Sequence, residues 1–573
     1  MAVDTMLLKQ RLDAAISARS NVDGTWDEVE KWVGPLSGGQ RVTSLGQGEG
    51  AVRFQRSEIW DSSAPDGADK LAAHLSSSIT NSAVRWARLT WQSKKLQENT
   101  EANEWIEQCG DRIFAELQAS DFYSEIGSFY GDWVRYGTAC FIAEAKADAL
   151  TAEQWKGLDF SAPPIRETYY EPDYEGNVLR YWRFLSWTPA AIISKFGEDK
   201  VPQRIKDQAA NPQQGSTKLK VVYCIFVRPE RAGEKKQAPL APNVRPVGYC
   251  YFIHETAELL GEEGGFYEMP AFIVPWDQAA GSDWGHGPGI RCLPDVRYLN
   301  KRLEQLRMAA EKAIDPSLLA DERHVIGDVN LEPGGVTVSR SPDALKVIES
   351  GTRFDVAYQE IADMRAQVRA RFWTDELTLK LSPQMTATEV NARLDMMQKL
   401  FGPTLSRLQA KALNPLLQLV FAMLYRAKRL PPMPPLVRTE VERAGGEFDI
   451  DYQGPLSRAQ RIDEVAAIER LASAAAGLIK LGFQDVAMTF DPDAALREMA
   501  KRLGTPAGIL RSEDEVKAQK AENAKLQREA MRAEVARAQG EAMAQQAEAA
   551  GAVQSQPATP VPLVSPVAGG GLM

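Results

Sequence analysis

The most constraining stretch of this chain is residues 294–373, where helical periodicity is interrupted by a short module of strand-like sequence and then resumes. In the first arm Val296, Leu299, Leu303 and Leu306 fall on one stripe, while Arg297, Lys301, Arg302, Arg307 and Lys312 fall largely elsewhere, the pattern of an amphipathic helix. Asp315-Pro316 should stop it, because the residue before proline is steered out of the helical region. "RHVIGDVNLEPGGVTVS" then reads as short strands around a Pro333-Gly334-Gly335 turn. A second helix over 353–373 directs Tyr358, Ile361, Met364, Val368 and Phe372 inward and Arg353, Arg365, Arg369 and Arg371 outward. Two rods of about 30 Å, at about 1.5 Å per residue, therefore bracket a small β module, which is the outline of a stalk with a tip.

The flanking sequence is of two kinds. Residues 6–32 and 61–80 have helical spacing, and 103–144 reads as two helices followed by a strand. Segments 167–187, 218–229, 246–255 and 267–277 are rich in Tyr, Val, Ile, Phe and Trp, broken by turn chemistry at 174–177 and by a Pro-rich loop. They predict a mostly antiparallel sheet packed with helices, an α+β body that is mainly helical. After the polar stretch "TDELTLKLSPQ" (374–384), Thr386 and Glu389 fit a capping box that opens a helix at about Ala387 and runs it toward Leu430. Kinks are expected at Gly402-Pro403 and Asn414-Pro415. Residues 456–550 read as overwhelmingly helical, the last part rich in Ala, Glu, Gln and Lys without aromatics, and the Pro/Gly/Ser tail 551–573 is expected to be disordered.

No chemistry-bearing motif of the sequence is complete. Residues 35–42, "PLSGGQRV", contain the Leu-Ser-Gly-Gly-Gln signature of ABC-type ATPases, but no Gly-Lys dipeptide supplies the phosphate loop that it must face. His254-Glu255 lacks the second histidine of a zinc-protease motif. Cys109, Cys140, Cys224, Cys250 and Cys292 have no C-x-x-C spacing and lie mostly in apolar runs, so they read as reduced core residues. The four histidines are too scattered to suggest a metal site. With a net charge of −10, nothing in the average charge argues for wrapping nucleic acid, and any contact with it must come from a local basic feature. The longest apolar run, 413–425, is too short to span a bilayer. The expectation is a soluble, unexported protein with no catalytic residue, cofactor or metal.

The order of elements resembles the portal protein, or head-to-tail connector, of short-tailed bacteriophages. Five stretches carry the resemblance: "LAAHLSSSITNSAVRWARLTW", "FYSEIGSFYGDWVRYGTACFIAE", "AFIVPWDQAAGSDWGHGPG", "MTATEVNARL" and "PAGILRSEDEVKAQ". The resemblance implies a wing over 1–290, stem helices over 291–314 and 353–373 with a clip over 315–352, and a tunnel loop over 374–384. It further implies a long kinked wing helix over 385–436 and a helical crown or barrel over 437–550. The chain departs from the family mainly in its Ala-rich helix at 515–550.

The function so implied is a homo-oligomeric ring, a dodecamer, at one capsid vertex, made in the host cytoplasm and carried in the virion, through which double-stranded DNA passes during packaging and ejection. Its implied partners are the terminase packaging motor, tail adaptor and nozzle proteins, and the major capsid and scaffold proteins. Lys380, the single basic residue of 374–384, is either a transient DNA contact or a solvated loop lysine. Asp321, Glu322 and Arg323 are the expected docking edge of the clip. Arg353, Arg365, Arg369 and Arg371 are expected to pair with Asp295, Glu304 and Glu311 of a neighbouring stem. The rival reading is a non-enzymatic cytosolic helical scaffold or adaptor, which accounts for 515–550 but not for a stalk inserted into an α+β body.

Overall fold

The computed structural model describes residues 3–34, 59–97, 99–147, 151–228, 240–278, 281–321, 323–326, 328–330, 336–348, 353–374, 401–444, 448–452, 455–480, 491–503 and 513–553. The chain divides into two compact units, Met1–Thr505 and Pro506–Met573.

The first unit opens with helix α1 (Thr5–Trp32), whose N-terminus is capped by the Asp4 carboxylate accepting the Leu7 N–H at 3.0 Å. Helix α2 (Ser63–Ile79) and strand β1 (Ala87–Trp91) follow. Next come helices α3 (Thr100–Gln118) and α4 (Phe122–Tyr136). Helix α4 ends at Gly137, φ 72°, a left-handed stop that turns the chain directly into β2 (Thr138–Ala145).

Strands β2, β3 (Leu158–Ser161) and β9 (Ala271–Pro275) form a three-stranded sheet in the order β3-β2-β9. Between them lies an antiparallel meander of five strands: β4 (Thr168–Pro172), β5 (Val178–Trp187), β6 (Leu219–Val227), β7 (Val247–Ile253) and β8 (Leu259–Phe266). Its two faces alternate as strand geometry requires. Trp182, Phe184, Val222, Cys224, Cys250 and Phe252 pack under Leu8 and Leu12 of α1, while Tyr181, Tyr223 and Ile225 join the main core.

A buried guanidinium fastens α1 to this sheet. Arg19 is 1% exposed; it donates to the carbonyls of Ile165 (3.2 Å), Arg166 (2.8 Å) and Thr168, pairs with Asp23 at 2.9 Å and lies 3.6 Å from the Tyr169 ring centre. So many acceptors are what makes a buried charge tolerable.

Helix α7 (Leu293–Ile314), counting the short helices α5 (Pro189–Phe196) and α6 (Gln203–Ala210) of the meander, is the first arm of the stalk, and α8 (Phe354–Arg371) is the second. Two miniature ladders sit between them: β10 (Leu318–Ala320) with β13 (Leu345–Val347), and β11 (Val325–Ile326) with β12 (Val338–Ser339). The expected strands are there; the Pro333-Gly334-Gly335 turn lies outside the described residues.

Beyond the stalk, residues 401–408 form α9, which includes Gly402 and Pro403; the residues immediately before 401 lie outside those described. The expected interruption near Asn414-Pro415 takes the form of a wide π turn at Gln409–Leu413, after which α10 (Asn414–Arg426) continues. π turns are a recognised way of absorbing such a break. Thr386 and Glu389 lie outside the described residues. Helix α11 (Pro435–Ala444) leads to β14 (Phe448–Tyr452), which pairs antiparallel with β1 from the opposite end of the unit. Helices α12 (Pro455–Lys480) and α13 (Pro492–Leu503) complete it. Among the described residues the second unit contains one helix, α14 (Glu513–Val553), whose described side chains are nearly all exposed.

Candidate functional site

The candidate site is the stalk, and its root is set by glycine. The carbonyl of Gly137, at the α4–β2 junction, accepts the Trp276 N–H at 2.8 Å, and the Thr138 hydroxyl accepts the Gly285 N–H at 2.8 Å. Residues 285–289 are laid so closely against this junction that side chains do not fit. A methyl group on Gly285 would lie 2.2 Å from the Gly137 oxygen, one on Gly287 2.7 Å from the Gly137 Cα, and one on Gly289 2.3 Å from the Arg135 oxygen. In return, a methyl on Gly137 would lie 2.2 Å from the Gly287 nitrogen. The motif "WGHGPG" is thus a backbone-on-backbone joint from which α7 starts.

Above the joint the two arms are tied to the body. Leu293, Val296, Leu299 and Leu303 of α7 and Ile361 and Val368 of α8 are buried in the main core, with Leu306 and Met364 half-buried. Asn300, 2% exposed, accepts the Trp60 N–H at 2.9 Å and donates to the Val296 carbonyl at 3.0 Å. Arg297 pairs with Glu28 of α1 at 2.6 Å. Arg365 donates to Asp61 at 2.6 Å, and Asp61 also accepts the Ser63 N–H at 2.8 Å. Burial pushes the Asp61 carboxyl up, but the bonds from Ser63 and Arg365 outweigh it and hold the group below its ordinary value. Arg371 donates to Asp295 at 3.1 Å. Halfway along, the Tyr298 hydroxyl donates to Glu360 at 2.9 Å and accepts from Arg302, which also pairs with Glu360 at 3.3 Å.

Beyond that knot the character changes. Met308, Ile314, Leu319, Val338, Val347, Ile348 and Val356 are all exposed, Ile314 by 84%. Tyr358, expected to face inward, is 62% exposed, although Ile361, Val368 and Phe372 of the same stripe are buried; among the described residues Tyr358 is left largely uncovered.

The residues singled out from sequence fall into four groups. Asp295 with Arg371, and Arg365 with Asp61, are paired within the chain at the root. Glu304 pairs with Lys301 of its own helix at 2.8 Å, Arg353 with Asp355 at 3.0 Å, Arg369 lies in the last turn of α8, and Glu311 is exposed. In the insert, Asp321 accepts the Arg323 N–H at 3.0 Å and stands 2.8 Å from His324 Nδ1, and these bonds, from His324 first, hold its carboxyl below the ordinary range. Lys380 and Glu322 lie outside the described residues, as do Leu36–Gln40. Sequence reasoning missed Asp61, Asn300 and the glycine joint; the alternating glycines of "WGHGPG" were the available signal for the last.

Among the described residues no group of three or more His, Cys, Asp or Glu could hold a metal ion, and no helix is long and apolar enough to cross a membrane. All five cysteines are free and buried.

The geometry is that of a stalk rooted in the body whose upper half leaves several apolar side chains exposed, and the comparisons bear on what such a stalk serves. The family model described as "Bacteriophage head to tail connecting protein" matches residues 5–510. The chain is 26% identical over 484 residues to the "Probable portal protein" of Bordetella phage BPP-1, covering 81% of each. It is 23% identical over 536 residues to the "Portal protein" of Salmonella phage epsilon15, covering 91% of each. A solved chain from a "Virion of native gene transfer agent (GTA) particle" overlaps 71% of this chain and 95% of its own length with a TM-score of 0.29 and 9% identity, too loosely to support a fold assignment.

Proposed function

The chain belongs to the family of bacteriophage head-to-tail connecting proteins, and on that premise we propose that it is a phage portal, a ring of identical subunits at one vertex of the head. The ring is a conduit for double-stranded DNA and a platform for the packaging motor and, later, the tail. It is a structural part of the virion rather than an enzyme. The observation that carries this reading is the family match over nearly the whole of the first unit; the bare apolar face of the upper stalk supports it, since identical stalks side by side in a ring would cover one another.

In this reading 1–290 and 385–436 are the wing, 291–314 and 353–373 the stem, 315–352 the clip, 374–384 a tunnel loop and 437–550 the crown. The clip edge at Asp321, Glu322 and Arg323 meets the motor and tail proteins. Lys380 lends the tunnel loop its single positive charge. Of the stem charges, Glu311 and the same-helix pairs Arg353–Asp355 and Lys301–Glu304 are the ones proposed to exchange with a neighbouring subunit, whereas Arg365, Arg371 and Asp295 serve their own chain at the root. A net charge of −10 suits a channel that must let DNA slide, since many phosphate contacts repeated around a ring would arrest it. Twelve subunits are expected.

Negative-stain images of the purified chain test this. Rings with a central hole, of a mass by light scattering close to twelve subunits, are the expected result; compact monomers or rods would overturn it.

A further inference from the structure

We propose that the glycine joint at Gly137, Gly285, Gly287 and Gly289 positions the stem relative to the body and thereby sets how many subunits close the ring. This rests on the ring reading above and goes beyond it.

In a closed ring every subunit meets its neighbour by the same rotation, and here that rotation must satisfy contacts at two levels, body and stem. The angle between those levels within one subunit therefore selects the ring size. The margin is small: neighbours in rings of twelve and thirteen differ by only about 2° of rotation. A ring of one size needs a mounting that does not give.

Of the ties at the stem root, the ion pairs are compliant. Arg297–Glu28, Arg365–Asp61 and Arg371–Asp295 are made by long side chains that can follow a tilted helix without breaking. The glycine contacts are backbone against backbone, with 2.2–2.7 Å left for any added methyl on Gly137, Gly285 or Gly287. Carbon needs about 3.5 Å, so a methyl there moves the backbone by about 1 Å. Across a helix packing distance of about 9 Å that is a tilt of about 6°, more than the step between ring sizes. The bond from Gly285 N–H to the fully buried Thr138 hydroxyl locks the same contact from the side.

The test counts subunits in rings of the full chain by native mass spectrometry and by the symmetry of end-on images. Gly289→Ala crowds the Arg135 carbonyl, Thr138→Val keeps shape but removes the acceptor, and Gly24→Ala, in α1 with no atom within 4 Å of the new methyl, is the control. The expected result is a second ring size several-fold more abundant in Gly289→Ala and Thr138→Val than in the wild type, with Gly24→Ala unchanged. Rings of one unaltered size with merely lower melting temperatures would overturn the proposal and leave the ring reading standing. If Gly289→Ala is insoluble, Thr138→Val decides alone. A wild-type chain that forms no ring removes the reading on which the proposal rests, and the proposal with it.

Discussion

The root and the upper half of the stalk are built from the same two helices with the same amphipathic period, yet they end in opposite states. At the root, Val296, Leu299, Ile361 and Val368 are buried and every arginine named there has a carboxylate of its own chain. Past Tyr298 and Glu360, Met308, Ile314, Val356 and Tyr358 stand in solvent, and the ladders β10–β13 and β11–β12 are two strands each. Isolated two-stranded pieces are marginal in water. Periodicity states that a face is to be covered and leaves open by what; the root is covered by its own body, and in the proposed ring a neighbouring subunit would cover the upper half.

The sharpest way to break this contrast is to charge the upper half. Met308→Glu combined with Val356→Glu should abolish rings, because the cost is repeated at every subunit contact. Unfolding of the single chain should change by no more than about 0.5 kcal/mol, since exposed sites carry little within one chain. Light scattering and a thermal melt at a concentration where the chain is monomeric read the two effects separately. A large loss of monomer stability would place these side chains inside the chain's own packing.

The body beneath the root offers the opposite behaviour, a partly buried carboxyl whose charge the surroundings disfavour. Asp132 of α4 accepts the Ile165 N–H at 3.1 Å, and burial pushes its carboxyl up to about 7, against that bond and Arg135. Glu30 and Glu167 nearby push the same way as burial. The unfolded chain releases this proton near pH 4, whereas the folded chain keeps it until about pH 7. Stability contributed here therefore falls as pH rises from about 4 to 7 and is flat above. Asp132→Asn escapes that loss: it should be more stable than the wild type by about 1–4 kcal/mol at pH 8, with the gain gone by pH 4. A constant difference across that range in denaturant titrations would rule out the proton as the cause.

These two cases also show what could be read from the sequence. The stalk arms were legible because Val296, Leu299, Leu303 and Leu306 repeat a local period, and so were β5 to β7, with their runs of aromatic and β-branched residues. Pairing across the chain was not: β1 and β14 join Ala87 to Tyr452, and nothing local in "ARLTW" or "FDIDY" names the other. The inward reading of Tyr358 failed because a shared period does not guarantee shared cover: Ile361, Val368 and Phe372 of its stripe are buried and Tyr358 is not. Arg19 and Asp61 look like ordinary surface charges until their distant partners are in place, the carbonyls of residues 165–168 accepting from Arg19 and Arg365 donating to Asp61. Lys380, Glu322 and the family's tunnel loop stay expectations of the resemblance.

A smaller effect is expected where the root binds its own charge. Asp61→Ala strands Arg365 and leaves the Ser63 N–H without its acceptor, which should cost about 1–3 kcal/mol. Because the folded carboxyl is held below its ordinary value, this contribution is present above about pH 4 and lost as the pH falls through the folded value. Wild type and variant should therefore converge in acid. Equal stability at pH 7 would mean that the half-exposed Arg365 is solvated as well as it is paired.

The smallest effect belongs to the insert, where Asp321 has two duties that a single substitution can separate. Its carboxylate accepts the Arg323 N–H and faces His324, while its backbone N–H bonds the Ala344 carbonyl at 2.9 Å, so the residue organises the turn as well as carrying a charge. Asp321→Asn keeps an oxygen for the Arg323 N–H and removes the charge. Rings and melting temperature should be unchanged, because the group is fully exposed and water replaces what the charge gave. Association with the motor or a tail protein should change by a few-fold in rate, with a shallower dependence on salt, as rim charges steer encounter more than they hold a complex. Identical salt slopes for variant and wild type would take Asp321 out of the docking edge. A lowered melting temperature with unchanged slopes would leave it only the turn.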